Sequence, residues 1–359
     1  AVTVSSCYSR LAVLGPPKME SIRNLAENLR VVLGKLRDGE PRESEKFNAQ
    51  HFWGTLGHSI KATSQEATKL SLAFLKPPLP SEEGSQKLCD GLLNAILADA
   101  TVYYSLPKEQ GITLRKTVRE AVADIIEGTI QLAEVILSSR IQSLSQAQLV
   151  STGSVWEACD QWEKLPKDNL AAVQVTVSGY LDVVKDAIEE VEQVIQSPLL
   201  QAFFLLDGED PFSDIPEDDE VGARGNQDTY WSEEDRRLMA PCLGLMKASK
   251  ACLKKILGAI KAHGKADTAE HVAQLDDLVD VTLEVSPRHF SIQYHHYGSI
   301  KQHSVTSNCY HIDEYKWNSQ SLMRSSHVCP DTESAWVQFL DSAVDHNMEK
   351  TKNLTQGAL

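Results

Sequence analysis

The chain has 359 residues, 42% hydrophobic and 24% charged, enough for two packed domains and too apolar for global disorder. Its formal net charge of −15 disfavours direct contact with nucleic acid or an anionic membrane, because phosphate recognition needs clustered Lys and Arg. No apolar run approaches the roughly 18 residues of a membrane-spanning helix, and seven cysteines without paired spacing read as the reduced, packed thiols of a cytosolic or nuclear protein.

Residues 1–17 begin without Met and lack the apolar core of a signal peptide, so they read as a tail or a truncated start. From Met19 onward the pattern is helical. Ile22, Leu25, Ala26, Leu29, Val32, Leu33 and Leu36 recur at three- and four-residue steps, the stripe of an amphipathic helix. A second helix carries Phe52, Trp53, Leu56, Ile60, Ala67, Leu70 and Phe74, and stops at the Pro77–Pro80 cluster. Ser81-Glu82-Glu83 caps a third, with Leu88, Leu92, Leu93, Ile96 and Leu97 expected inward. Pro107 and Gly111 mark the turn into a fourth, striped by Leu114, Val118, Val122, Ile125, Ile126, Leu132 and Ile136. A Ser/Gln-rich loop and a short segment with Trp156 and Trp162 follow. Asp168 then opens a fifth helix with Val173, Val177, Leu181, Val184, Ile188 and Val191 inward. The expectation is an all-α chain whose residues 18–198 form a five-helix up-and-down bundle.

Residues 199–229 change character. Eight carboxylates fall between Asp207 and Glu220 without a Lys or Arg among them, the composition of a disordered acidic linker. Residues 230–359 form a second helical domain, with an irregular, His- and Tyr-rich insert at 288–326. The domain opens with a helix–loop–helix outline broken at Gly264-Lys265. On its first helix Leu245, Cys252, Leu253, Ile256 and Ile260 line an apolar stripe, and Lys247, Lys250, Lys254 and Lys261 gather on the other face. Pro241 requires either a kink or a helix that starts there. Two readings of this outline stand side by side: the stripe pairs with a partner, or it is buried in the domain's own bundle. The acidic linker is expected to lie along the lysine face, with a strength that salt reduces.

Chemistry-bearing motifs are sparse. Gly258–Lys265 misses the phosphate-loop pattern by one residue and is followed by Ala266. No nucleophile elbow, HExxH or CxxC occurs, so no catalytic set and no cofactor site is expected. The weak metal candidates are His295, His296, Cys309 and His311, whose spacing lacks the paired ligands of structural zinc. Arg23-Asn24-Leu25 has the form of a cyclin-docking R-x-L motif, but Leu25 already belongs to the first helix's stripe.

The blocks FLKPPLPSEEGSQKLCDGLLNAI, YSLPKEQGITLRKTVREAVADIIEG and YWSEEDRRLMAPCLGLMKASKACLKKI, with VAQLDDLVD and DTESAW, resemble the family of Grap- and cyclin-D-interacting proteins. The resemblance runs from about Met19 to Val285 and resumes at Ser326. It implies a non-enzymatic, two-domain helical protein of cytoplasm and nucleus. Its implied partners are D-type cyclins, helix–loop–helix transcription factors and a Grap-type adaptor. The implied role is restraint of cell-cycle entry through lowered phosphorylation of the retinoblastoma protein and the transcription it controls. The family is helix–loop–helix-like without a basic region, which matches the acidic run before Tyr230. Between Arg288 and Ser325 the chain departs from the family pattern, which suggests a splice or reading-frame variant there. The alternative to a cell-cycle regulator is a vinculin-like helical adaptor.

Overall fold

A computed structural model describes residues 19–39, 47–138, 146–195, 233–285 and 326–329, with six further positions between 342 and 353. Among these residues every regular element is helical: α1 (Glu20–Asp38), α2 (Ala49–Leu75), α3 (Glu82–Tyr104), α4 (Ile112–Ser138), α5 (Gln146–Asp160), α6 (Asn169–Ile195), α7 (Glu233–His263) and α8 (Ala269–Val285). Two short 3-10 turns, Lys108–Gln110 and Gln161–Lys164, complete the set. The acidic run 206–220 and the metal candidates His295, His296, Cys309 and His311 lie outside the described residues.

Local signals explain the helix ends. Asn48 caps α2 by accepting from the His51 amide at 2.9 Å, and Ser81 caps α3 by accepting from Gly84 at 3.1 Å. The turn into α4 places Gly111 at φ 109°, a left-handed conformation that a side chain would strain. Pro241 lies within α7, so that helix starts ahead of the proline.

The chain divides into two compact units, residues 1–168 and 169–359. In the first, α1–α5 close a ring in the spatial order α1–α3–α2–α5–α4. The predicted stripes fill it: Ile22, Leu29, Leu36, Leu56, Ile60, Leu70, Leu92, Ile96, Leu114, Val118 and Ile126 are buried. Leu97, expected inward, is exposed, and Asp99 and Cys89 occupy the buried face of α3 instead.

The boundary expected at residue 198 moves. The helix assigned to the first bundle, α6, packs on α7 and α8 and belongs to the second unit; the first unit's fifth helix is α5. The reason is the partner of the α6 stripe. Val173, Val177, Leu181, Val184 and Ile188 share one core with Leu253, Ile256, Leu257 and Ile260 of α7 and Leu275, Leu278 and Val279 of α8. Asn169 at the head of α6 donates its side-chain amide to Asp276 Oδ1 on α8 at 3.0 Å, a buried polar pair that fixes the helices' register.

Candidate interaction surfaces

The helix–loop–helix outline contains the residues that sequence favoured for partner binding. Leu245, Leu253, Ile256 and Ile260 are buried and Cys252 is half-buried, and of these Cys252, Leu253, Ile256 and Ile260 pack in the core of the second unit. Their main partner is α6; α7 and α8 touch each other only sparsely. The outline is therefore two helices laid on a third, and its apolar stripe is occupied within the unit. Lys247, Lys254 and Lys261 fall on the outside as expected. Lys254 is exposed, Lys250 is half-buried, and Lys247 pairs with Glu192 of α6 at 2.7 Å.

At the α7–α8 turn sits a hydrogen-bonded corner that sequence reasoning did not foresee. His327 Nε2 accepts from the Lys265 amide at 3.1 Å, which fixes the proton on Nδ1; that proton goes to Gln274 Oε1 at 2.7 Å. The same Oε1 accepts from the His327 backbone amide at 3.0 Å. The His271 ring lies over His327 with centroids 4.2 Å apart, and its Nδ1 is 2.5 Å from Asp267 Oδ1. With His263 and Gly264 they border a cleft of about 270 Å³. Burial and the neighbouring His271 hold the His327 imidazole below its usual pKa. The corner pins Ser326–Cys329, whose Val328 and Cys329 are buried in the core. Among the described residues no cluster of three or more His, Cys, Asp or Glu is suited to a metal ion.

In the first unit, two tryptophans clasp a lysine. Lys167 Nζ lies 4.2 Å from the Trp53 ring centroid and 5.0 Å from that of Trp162, and Trp53 donates its indole N–H to the Lys167 carbonyl at 3.2 Å. Gly57 permits this, since a Cβ there would meet the Trp162 ring at 2.4 Å. A cleft of about 320 Å³ opens beside Trp53, Gly54 and Trp162.

The most unusual surface belongs to α5, whose polarity is inverted. It turns Gln148, Ser151 and Thr152 inward beside Val155 and Cys159, and turns Leu149 and Val150 outward. Its contact with α2 is a polar seam. Gln148 Nε2 donates to the Ser71 carbonyl at 2.8 Å, the Ser71 and Thr152 hydroxyls are 2.7 Å apart, and Trp156 donates its indole N–H to Thr68 Oγ1 at 2.8 Å. Along the outer rim of that seam Leu72, Leu149 and Trp156 remain 63%, 49% and 44% exposed. Gly153, between Leu149 and Trp156 on the same face, has open space where a side chain would stand. In the sequence it shows only as a short segment without a clean apolar stripe.

Two family models match the chain: "Grap2 and cyclin-D-interacting, N-terminal" over residues 55–197 and "Grap2 and cyclin-D-interacting, C-terminal" over residues 216–289. The Cyclin-D1-binding protein 1 homolog of Xenopus laevis is 79% identical over 341 residues, 95% of this chain and all of its own. The corresponding homolog of Danio rerio is 44% identical over 93% of this chain and 95% of its own. Homo sapiens Cyclin-D1-binding protein 1 is 42% identical over 95% of each chain. With both halves of the fold matched and relatives aligned nearly end to end, the chain belongs to the Grap2 and cyclin-D-interacting family.

Proposed function

We propose that this protein is a non-enzymatic binding partner of a D-type cyclin and a negative regulator of cell-cycle progression, acting in cytoplasm and nucleus. The observation that carries the reading is the near-complete alignment with a relative named for cyclin D1 binding. Binding would lower cyclin-dependent phosphorylation of the retinoblastoma protein and the transcription that it controls. The helical architecture suits the reading, because its rigid helix faces offer docking surfaces. A Grap-type adaptor and helix–loop–helix transcription factors are the further partners of this proposal.

The burial of Leu253, Ile256 and Ile260 against α6 constrains how a helix–loop–helix factor would engage. Pairing through that stripe requires α7 to leave α6 first, at a cost set by its buried area. A cyclin on an exterior face meets no such barrier, so we place cyclin binding on the folded surface. The test is titration of the full chain with a purified D-type cyclin, followed by phosphorylation of retinoblastoma protein by the cyclin's kinase complex. Saturable binding with falling phosphorylation is expected; absence of binding at tens of micromolar rejects the reading.

A further inference from the structure

We infer that the α2–α5 rim is a docking site for an amphipathic helix of a partner protein, laid with its apolar stripe over Leu72, Leu149 and Trp156 and a flank of Lys or Arg against Glu157 and Asp160. The inference rests on the cyclin-binding reading above and names where on this chain that partner's helix sits.

Three observations lead there. The first is the inversion of α5. Helices of a water-exposed bundle place apolar residues inward, because burial of apolar area is the main source of their stability. Here the inward face spends three positions on Gln148, Ser151 and Thr152, of which Gln148 and Thr152 are held by hydrogen bonds to Ser71 of α2, while large apolar groups face out. Apolar groups concentrated at one rim mark a surface that gains when a partner covers it. The second is shape. Leu149 and Trp156 stand two helical turns apart, about 10.5 Å at 1.5 Å per residue, which matches i and i+7 anchors on an incoming helix. Gly153 leaves room between them for a side chain of that helix. No strand edge exists among the described residues to receive an extended peptide.

The third observation is charge. On the α2 side, Lys69 pairs with Glu66 at 2.6 Å and Lys61 stands 4.0 Å from Glu163. On the α5 side, Glu157 and Asp160 are exposed and make no ion pair among the described residues. Asp160 is one turn beyond Trp156 on the same face. Exposed Lys76 follows Leu72 by four residues, so the unspent negative charge lies at the Trp156–Asp160 end of the rim, and complementarity calls for a basic flank there. A second copy of this chain is a poor occupant, because each copy carries −15 and the copies repel.

The experiment is a titration of a D-type cyclin onto the full chain at two salt concentrations, for wild type, Leu72→Glu, Leu149→Glu and the pair Glu157→Lys/Asp160→Lys. Leu72 and Leu149 are exposed, so their variants keep the fold; far-ultraviolet circular dichroism and the melting midpoint check this. Val183→Thr on α6 is the control, exposed and outside the rim. The expected result is at least a tenfold loss of affinity for each leucine variant. The charge-reversed pair should lose several-fold and most of its salt dependence, with the control unchanged. Wild-type binding that all variants share within twofold overturns the site but leaves the cyclin reading standing. No wild-type binding overturns both. A wild-type dimer in sedimentation that Leu149→Glu dissolves, with cyclin affinity untouched, overturns the stated occupant in favour of a second copy.

Discussion

Thr63 on α2 donates its hydroxyl to Oδ2 of Asp99 on α3 at 2.7 Å, and both residues are sealed from solvent. The other carboxylate oxygen, Oδ1, has no hydrogen-bond partner among the described residues. A half-satisfied carboxylate in an apolar bundle resists ionisation, and burial pushes its pKa up to about 6 despite the Thr63 bond. Cys159 stands close enough that Asp99 adds to the rise in its thiol pKa, to about 12, after burial itself.

The first prediction follows from that raised value. Because the folded pKa exceeds the unfolded one, Asp99 favours the fold below about pH 4, and that contribution is lost as pH climbs through about 6. Asp99→Asn should flatten this slope. The stability difference between wild type and variant should grow in the variant's favour by on the order of 2–3 kcal/mol from pH 4 to pH 7.5. Urea midpoints of both proteins across that range check it; a constant difference would show that Asp99 ionises freely.

The His327 corner titrates in the opposite sense. Nε2 must stay unprotonated to accept from Lys265, and the folded pKa is lowered by burial and by the neighbouring His271. Its contribution is therefore complete above about pH 6.5 and fades as pH falls through the depressed folded value. Hydrogen exchange at the Lys265 amide should accelerate between pH 7.5 and 5.5 in wild type. In His327→Ala it should be fast at both pH values, after correction for intrinsic exchange.

Gly57→Leu is expected to eject Trp162 from α2, since even a Cβ would overlap the indole. Tryptophan fluorescence should shift to the red, and the loss of packing and of the Lys167 contact should cost about 1–3 kcal/mol. Gly54→Ala, three residues earlier in open space, is the control and should leave the spectrum unchanged.

Leu253→Ala should remove about 2–5 kcal/mol by leaving a cavity between α7 and α6. Lys254→Ala, next to it but exposed, should stay within about 0.5 kcal/mol. Thermal melting separates the two. Equal effects would mean that α7 does not hold its stripe against α6 in solution.

Much of this fold was legible. The stripes of α1, α4 and α6 appear nearly as expected, with Val32 of α1 only half-buried, because an apolar face repeating near 3.6 residues has only one way to be buried. Periodicity names the face and leaves the partner open. Nothing in Val173 or Val184 says whether their stripe meets α4 or α7, so periodicity alone leaves the unit of α6 open. The outline at Glu233–Val285 leaves two readings open for the same reason, a stripe paired with a partner or buried at home, and α6 within the unit is what meets it. α5 escaped because its stability resides in side-chain hydrogen bonds from Gln148, Thr152 and Trp156, which leave no apolar period to read. Asp99 hid among charged helix residues that are normally solvated.

The placement of α6 bears on how this protein can be taken apart. By sequence its residues fall inside the N-terminal family match, which runs to 197, while by packing they form the spine of the other unit. A fragment ending near 198 would carry a long valine-rich helix stripped of its neighbours, prone to aggregation and to nonspecific capture. A fragment starting near 199 would lack the surface on which α7 and α8 rest. Partner mapping by deletion at that point would score unfolded chains as lost or gained binding. The joint between Asp168 and Asn169 is the cut that leaves each core whole.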